Sequence, residues 1–166
     1  ACVLDCGAST GGFTDCALQL GARKVYALDI GFNQLDWKLR TDPRVVSMES
    51  TDIRALDHAL DSDISIVLAD ISFNSLDRTL KAMRTAVPGP LVTFLLLVKP
   101  QFELESSIIP EAGVVDDPAL LQAALGKAKA AIEREGMELL AAVDSRVRGR
   151  EGNQEIFVWA RSISDS

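Results

Sequence analysis

Two rhythms run along the chain: short, mostly apolar runs, and stretches where apolar residues return every three or four positions. The runs Val3–Cys6, Lys24–Ile30, Val45–Met48 and Ile64–Ala69 read as strands. Leu91–Val98 is almost wholly apolar, the pattern of a central strand buried on both faces. Helical stretches lie between them. Phe13–Leu20 is stopped by Gly21, and Gln34–Arg40 is ended before Pro43. Leu76, Leu80, Met83 and Val87 share one helical face, and Pro88-Gly89-Pro90 closes that helix. Residues 100–116 show no clear period, as in a functional loop. Asp117 followed by Pro118 is an N-cap with proline at the first helical position, opening a helix that runs to about Glu135 before Gly136. Met137–Ser145 and Glu155–Ala160 are two closing strands around an arginine-rich connection.

This alternation predicts an α/β fold, Rossmann-like and doubly wound, with a seven-stranded, mostly parallel sheet and helices on both faces. The last two strands lack an intervening helix, so an antiparallel strand is expected at one edge. At 166 residues and 48% hydrophobic content the chain suits one domain with a substantial core. It has no repeats or low-complexity tracts.

Composition narrows the setting. No basic leader precedes the first strand, so no signal peptide is expected. The longest apolar stretch, Val87–Val98, is interrupted by Pro88, Gly89, Pro90 and Thr93 and falls short of the about 20 residues that a membrane span needs. A soluble protein without a membrane partner is the expectation. Cys2, Cys6 and Cys16 form no CxxC or Cys/His pattern, so no metal is expected. Three buried reduced thiols would fit a reducing cytoplasm. Seventeen basic against 24 acidic residues give a net charge of −7, which argues against a self-sufficient nucleic-acid binder.

Candidate chemistry gathers at the predicted C-terminal ends of the strands. The first strand ends in Asp5 and opens into Gly7-Ala8-Ser9-Thr10-Gly11-Gly12-Phe13. The spacing fails the GxGxxG pyrophosphate fingerprint. Gly7-Ala8-Ser9-Thr10-Gly11 does match the GxSxG hydrolase elbow, with Ser9 as nucleophile. The one histidine, His58, lies in a polar segment that nothing brings to Ser9, and reads as a surface residue. A nucleoside-type ligand without a bridging pyrophosphate is the third reading. Asp29, 22 residues after Gly7, stands where an acid accepts ribose hydroxyls in nucleotide-binding α/β folds. Asp5 is placed to meet an ammonium, and Asp52 follows the third strand. Three acids on one sheet edge suit a ribose-bearing ligand with an amino group and repel a triphosphate. Asp70 and Lys99 end the fourth and fifth strands on the same edge, where an Asp–Lys pair could polarise a hydroxyl or be a structural salt bridge.

Several blocks resemble the hemolysin-A-type (TlyA) branch of the FtsJ-like RNA 2′-O-methyltransferases. They are Leu4–Cys16, Gln34–Arg40, Asp42–Val46, Asp70-Ile71-Ser72-Phe73, Val98–Glu103 and Gly113-Val114-Val115. The resemblance implies a class I methyltransferase fold using S-adenosylmethionine. Residues 1–166 would be the methyltransferase domain, truncated at the N-terminus. It places the methionine part of the cofactor on Gly7–Phe13, the ribose on Asp29 beside Ile30, and the adenine edge on Asp52 beside Ile53. It implies a Lys-Asp-Lys-Glu catalytic set, of which Asp70, Lys99 and Glu155 match the last three; Asp70 also borders the cofactor. The first lysine and a small S4-type RNA-binding domain would lie upstream. The implied partner is ribosomal RNA or a ribosomal subunit, gripped mainly by that absent domain. Arg146, Arg148 and Arg150 are the remaining candidates for phosphate contact. Rival functions are a membrane-damaging toxin, as the family's historical name suggests, and the Ser9 hydrolase. The oligomeric state is not legible.

Overall fold

The computed structural model describes residues 1–163; residues 164–166, the end of the expected domain, lie outside the described residues. Its elements are β1 (Cys2–Cys6), α1 (Gly12–Gln19), β2 (Lys24–Leu28), α2 (Trp37–Arg40), β3 (Val45–Met48), β4 (Ile64–Ala69), α3 (Leu76–Ala86), β5 (Thr93–Val98), α4 (Pro100–Glu103), α5 (Pro118–Arg134), β6 (Met137–Asp144) and β7 (Ile156–Ser162). Short 3-10 turns stand at Ile53–Ala55 and Ser106–Ile108.

Several elements begin or end away from the expected residues. The expected helix from Gln34 starts only at Trp37. Glu49 takes the N–H groups of Gln34 and Leu35 at 2.9 and 3.3 Å, and Asp36 caps the helix by accepting the Lys38 N–H at 2.8 Å. β2 stops at Leu28 rather than Ile30, because the Asp29 carboxylate folds back to accept the Gly31 N–H at 2.7 Å. β5 begins at Thr93, two residues after Leu91 takes a left-handed φ of 58°. β7 is shifted to Ile156–Ser162. The stretch from Pro100 is not wholly irregular, since α4 and the second 3-10 turn lie in it.

The sheet has seven strands in the order β3-β2-β1-β4-β5-β7-β6. β1 to β5 are parallel, and β7 runs antiparallel to both β5 and β6. The reversed strand therefore sits one place in from the edge. Ile156, Val158 and Ala160 of β7 are buried, whereas residues 141–144 of β6 are exposed, so β6 makes the better edge.

One sheet face carries the larger core. Cys2, Leu4 and Cys6 of β1, Phe94, Leu96 and Val98 of β5, and Val158 of β7 pack against Leu80 and Met83 of α3 and Ile132 of α5. Each such large side chain contributes about 1.5–3 kcal/mol by leaving water. On the other face α1 and α2 cover Val3, Val25 and Ala27. That cover does not extend across β4, β5 and β7. Leu95 remains 40% exposed, so β5 is buried on one face rather than both. Ile66, Leu68, Leu95 and Phe157 form with α1 an apolar trough of about 300 Å³. Cys16 also borders it and is exposed, so only Cys2 and Cys6 are the expected buried thiols. No helix among the described residues is long and apolar enough to cross a membrane.

Candidate active site

The chain order reverses between β1 and β4, and loops after the two strands diverge there to leave a crevice. A cavity of about 410 Å³ opens at this point, bordered by Gly7, Ser9, Asp29, Asp52 and Asp70. The apolar trough carries almost no polar group and lies on the sheet face. The polar cavity at the strand ends is the place for chemistry.

Gly7 makes the crevice possible. Its φ is 82°, and a Cβ there would collide with the Asp70 carbonyl oxygen, so the first loop can lie against the fourth strand's end only without a side chain. The N–H groups of Gly7 and Ala8 donate to the Leu28 carbonyl at 2.9 and 3.1 Å. Ser9, at φ 50°, donates its N–H to Asp29 Oδ2 at 2.8 Å. Asp29 thus ties the first loop to the β2 turn, and each of its oxygens keeps a lone pair for a further donor. The remaining loop residues divide by direction. Ala8 is buried against Leu35 and Leu39, and Gly11 packs on the same two leucines. Thr10 accepts the Asp36 N–H at 3.0 Å through its carbonyl. Gly12 opens α1, and Phe13 turns to the trough, 6.2 Å from Phe157 between ring centroids. Ile30, exposed, and Ile53, buried, both border the cavity.

Asp5 is not on the cavity wall. It is fully buried beneath the loop, with Oδ2 accepting from the Thr14 hydroxyl at 2.6 Å and Oδ1 without a partner. Burial pushes its carboxyl up to about 6 against the pull of the Thr14 hydrogen bonds. The expectation that Asp5 meets an ammonium is therefore not met: the glycine loop seals its free oxygen away from the cavity, and the acid braces the start of α1 through Thr14. Asp52 borders the cavity but is already engaged, by the Arg54 guanidinium, which holds its carboxyl below the usual range.

Lys99 and Asp70 meet. The ammonium lies 2.6 Å from Asp70 Oδ1, off the line of a directed hydrogen bond, and donates to Ser72 Oγ at 2.9 Å. The Lys99 side chain is 12% exposed and that of Asp70 39%, so the pair opens to solvent on the aspartate side. Glu155 lies within electrostatic reach of both. Burial raises its pKa, the Lys99 charge lowers it and the Asp70 charge raises it. Glu155 packs against Gly149, where a Cβ would stand 2.6 Å from Oε1. Arg146, Arg148 and Arg150 are exposed on this same loop, and Arg148 donates to the Gly152 carbonyl at 2.9 Å.

Two buried polar side chains brace these groups, and the sequence assigned neither a role. Glu103, in α4 just after Lys99, accepts the Leu76 N–H at 2.7 Å and so caps α3, which follows the Asp70 loop. Asn153 accepts the Val115 N–H at 2.7 Å and donates to the Gly113 carbonyl at 3.2 Å, joining the Gly113–Val115 stretch to the start of β7. An acid set between Phe102 and Leu104 was the available signal for Glu103. Arg54 was also missed. His58 contacts Asp57 at 2.9 Å on the surface, and no hydrogen bond joins it to Ser9, so the hydrolase constellation is not assembled. Among the described residues no cluster of three or more His, Cys, Asp or Glu is disposed to hold a metal ion.

Comparison with known proteins agrees with this geometry. The sequence model of the FtsJ-like methyltransferase family matches residues 1–162. The chain is 42% identical over 164 residues to the 16S/23S rRNA (cytidine-2′-O)-methyltransferase TlyA of Mycobacterium tuberculosis, covering 98% of this chain and 60% of that protein. A solved structure from Streptococcus thermophilus named as a hemolysin superposes with a TM-score of 0.91 at 36% identity, over 99% of this chain and 60% of that one. A methyltransferase from Mesorhizobium loti, at 16% identity, shares the fold with a TM-score of 0.69 over 96% of this chain and 90% of its own. The chain spans about 60% of the length of the curated relative. With the family model matched from end to end of the sheet, the chain belongs to the FtsJ-like methyltransferase family.

Proposed function

We propose that this chain is the catalytic domain of an S-adenosylmethionine-dependent rRNA ribose 2′-O-methyltransferase. The observation that carries the reading is the Lys99 ammonium, held against Asp70 Oδ1 at 2.6 Å and Ser72 Oγ at 2.9 Å beside a cavity edged with acids. When bound, S-adenosylmethionine supplies an electrophilic methyl group. Asp29 is the acceptor for its ribose hydroxyls, Asp52 with Ile53 borders the adenine, and the loop from Gly7 takes the methionine part.

The rest is done by the chain's own groups. A ribose hydroxyl is a poor nucleophile until its proton is leaving. Lys99 offers a positive charge to the oxygen as it becomes alkoxide-like, in a part-buried place where water screens little. Asp70 and Ser72 fix the ammonium so that it need not reorganise during the reaction. Glu155 faces the same neighbourhood from the residue before β7 and orients the ribose or the lysine. Arg146, Arg148 and Arg150 lie beside Glu155 and can neutralise flanking phosphates.

Relatives of greater length and a net charge of −7 support a further part of the reading. In this reading a protein of the relatives' full length grips ribosomal RNA mainly through an S4-type domain and brings a further lysine to the catalytic set. Calorimetric titration tests the cofactor half: S-adenosylmethionine binds, and Asp29→Ala weakens binding at least tenfold. In the longer protein, ribosomal RNA gains ribose methyl groups and Lys99→Ala loses this activity. Full activity of Lys99→Ala would end the catalytic assignment.

A further inference from the structure

Two walls of the cavity are joined by one side chain. Asp52 begins the turn after β3, and Asn74 lies in the loop after β4, and both border the cavity. Arg54 spans them. Its Nε stands 3.1 Å from both Asp52 oxygens, its Nη2 donates to Asp52 Oδ2 at 2.6 Å, and its Nη1 donates to Asn74 Oδ1 at 3.1 Å. The Arg54 backbone N–H adds a fourth bond to Asp52 Oδ1 at 2.9 Å. The planar fork of a guanidinium can hold a carboxylate on one edge while its remaining nitrogen reaches elsewhere; a lysine has no such shape.

This arrangement changes what Asp52 can recognise. A carboxylate has about four acceptor positions, and Arg54 fills most of them. What remains is an acceptor of fixed direction whose charge is already matched. A cation gains little from such a group. A neutral N–H donor on a flat heterocycle gains a directed hydrogen bond without facing an unpaired charge.

We propose that Arg54 is a positioning residue for the nucleobase end of the cofactor cavity, aiming Asp52 at an exocyclic amino group and setting the width between the Asp52 and Asn74 walls. The inference rests on the cofactor reading above. Arg54 itself touches no reacting atom.

The test compares S-adenosylhomocysteine with its 6-oxo analogue, which lacks the amino group. The unsubstituted chain binds the amino form more tightly, on the order of tenfold or more for one buried hydrogen bond to a charged acceptor. In Arg54→Ala that ratio falls towards one, because the amino form loses affinity and the oxo form loses little. Arg54→Lys does not restore it. Asn74→Ala keeps the Asp52 pairing, frees the far wall, and weakens both ligands alike. An unchanged ratio in Arg54→Ala, or equal loss of both ligands, overturns the proposal. If the unsubstituted chain prefers neither form, it is overturned as well. If it binds neither ligand, the cofactor reading fails, and hydrogen exchange then judges the bridge. Faster exchange at residues 51–55 and 71–75 in Arg54→Ala supports it, and unchanged exchange overturns it.

Discussion

Replacing Asp5 with asparagine isolates the energetic cost of the acid beneath the loop. Asp5 is fully buried, with Oδ2 on the Thr14 hydroxyl and Oδ1 unpartnered, and its carboxyl is pushed up from 3.8 to about 6. Between those pH values the folded chain holds a proton that the unfolded chain has released. Stability is therefore greatest below the unfolded value and is lost as pH rises through the folded one. At about 1.4 kcal/mol per pH unit, the loss is about 3 kcal/mol, complete somewhat above pH 6. The amide in Asp5→Asn cannot ionise. It keeps an acceptor for Thr14 and adds an unpaired donor, a cost of about 1–3 kcal/mol that does not vary with pH. The assay is urea unfolding of both proteins from pH 4 to pH 8. The stability of Asp5→Asn relative to the parent should rise by about 2.5 kcal/mol across that range, or about 5–10 °C in Tm for a domain of this size. Acids whose pKa is lowered, such as Asp42 and Asp52, titrate alike in both proteins and cancel in the difference. A flat difference, or one that falls with pH, would refute the reasoning.

Gly7→Ala combines a left-handed φ of 82° with a collision against the Asp70 carbonyl, and should cost about 2–4 kcal/mol in urea unfolding while closing the crevice to ligand. A change below about 0.5 kcal/mol would mean that the two strand ends move apart easily. Glu103→Ala strands the Leu76 N–H at the head of α3 and should destabilise by about 1–3 kcal/mol, whereas Glu103→Gln keeps the acceptor, removes a buried charge and should be at least as stable as the parent at pH 7. Equal losses in the two variants would deny Glu103 its capping role. Asn153→Ala breaks both bonds to the Gly113–Val115 stretch, so the Val115 amide should exchange hydrogen faster by an order of magnitude or more, for a loss of about 2 kcal/mol. Unaltered protection at Val115 would show that stretch to be held by other contacts.

Much of the fold was legible because the signals are local. A strand announces itself by a short, mostly apolar run, and α5 by the Asp117 cap, Pro118 and the stop at Gly136. The placing of Asp29, Asp52, Asp70 and Lys99 on one edge followed from their positions at strand ends, since parallel strands bring all their C-terminal ends to the same side. Gln34 and Leu35 carried a helical pattern, yet Glu49, 14 to 15 residues away, took their N–H groups and delayed the helix.

By itself the sequence determined the alternation of elements, the glycine loop and the acids at the strand ends, because each depends on residues within a few positions of one another. Only the tertiary structure decided which partners those residues meet. It inserted β7 between β5 and β6, left Leu95 over an open trough, sealed Asp5 under its own loop and gave Asp52 to Arg54. It also brought Lys99 to Asp70 across 29 residues of sequence. Propensity and periodicity are summed along the chain, whereas burial, charge pairing and the space beside a glycine are set by atoms that become neighbours only when the sheet closes.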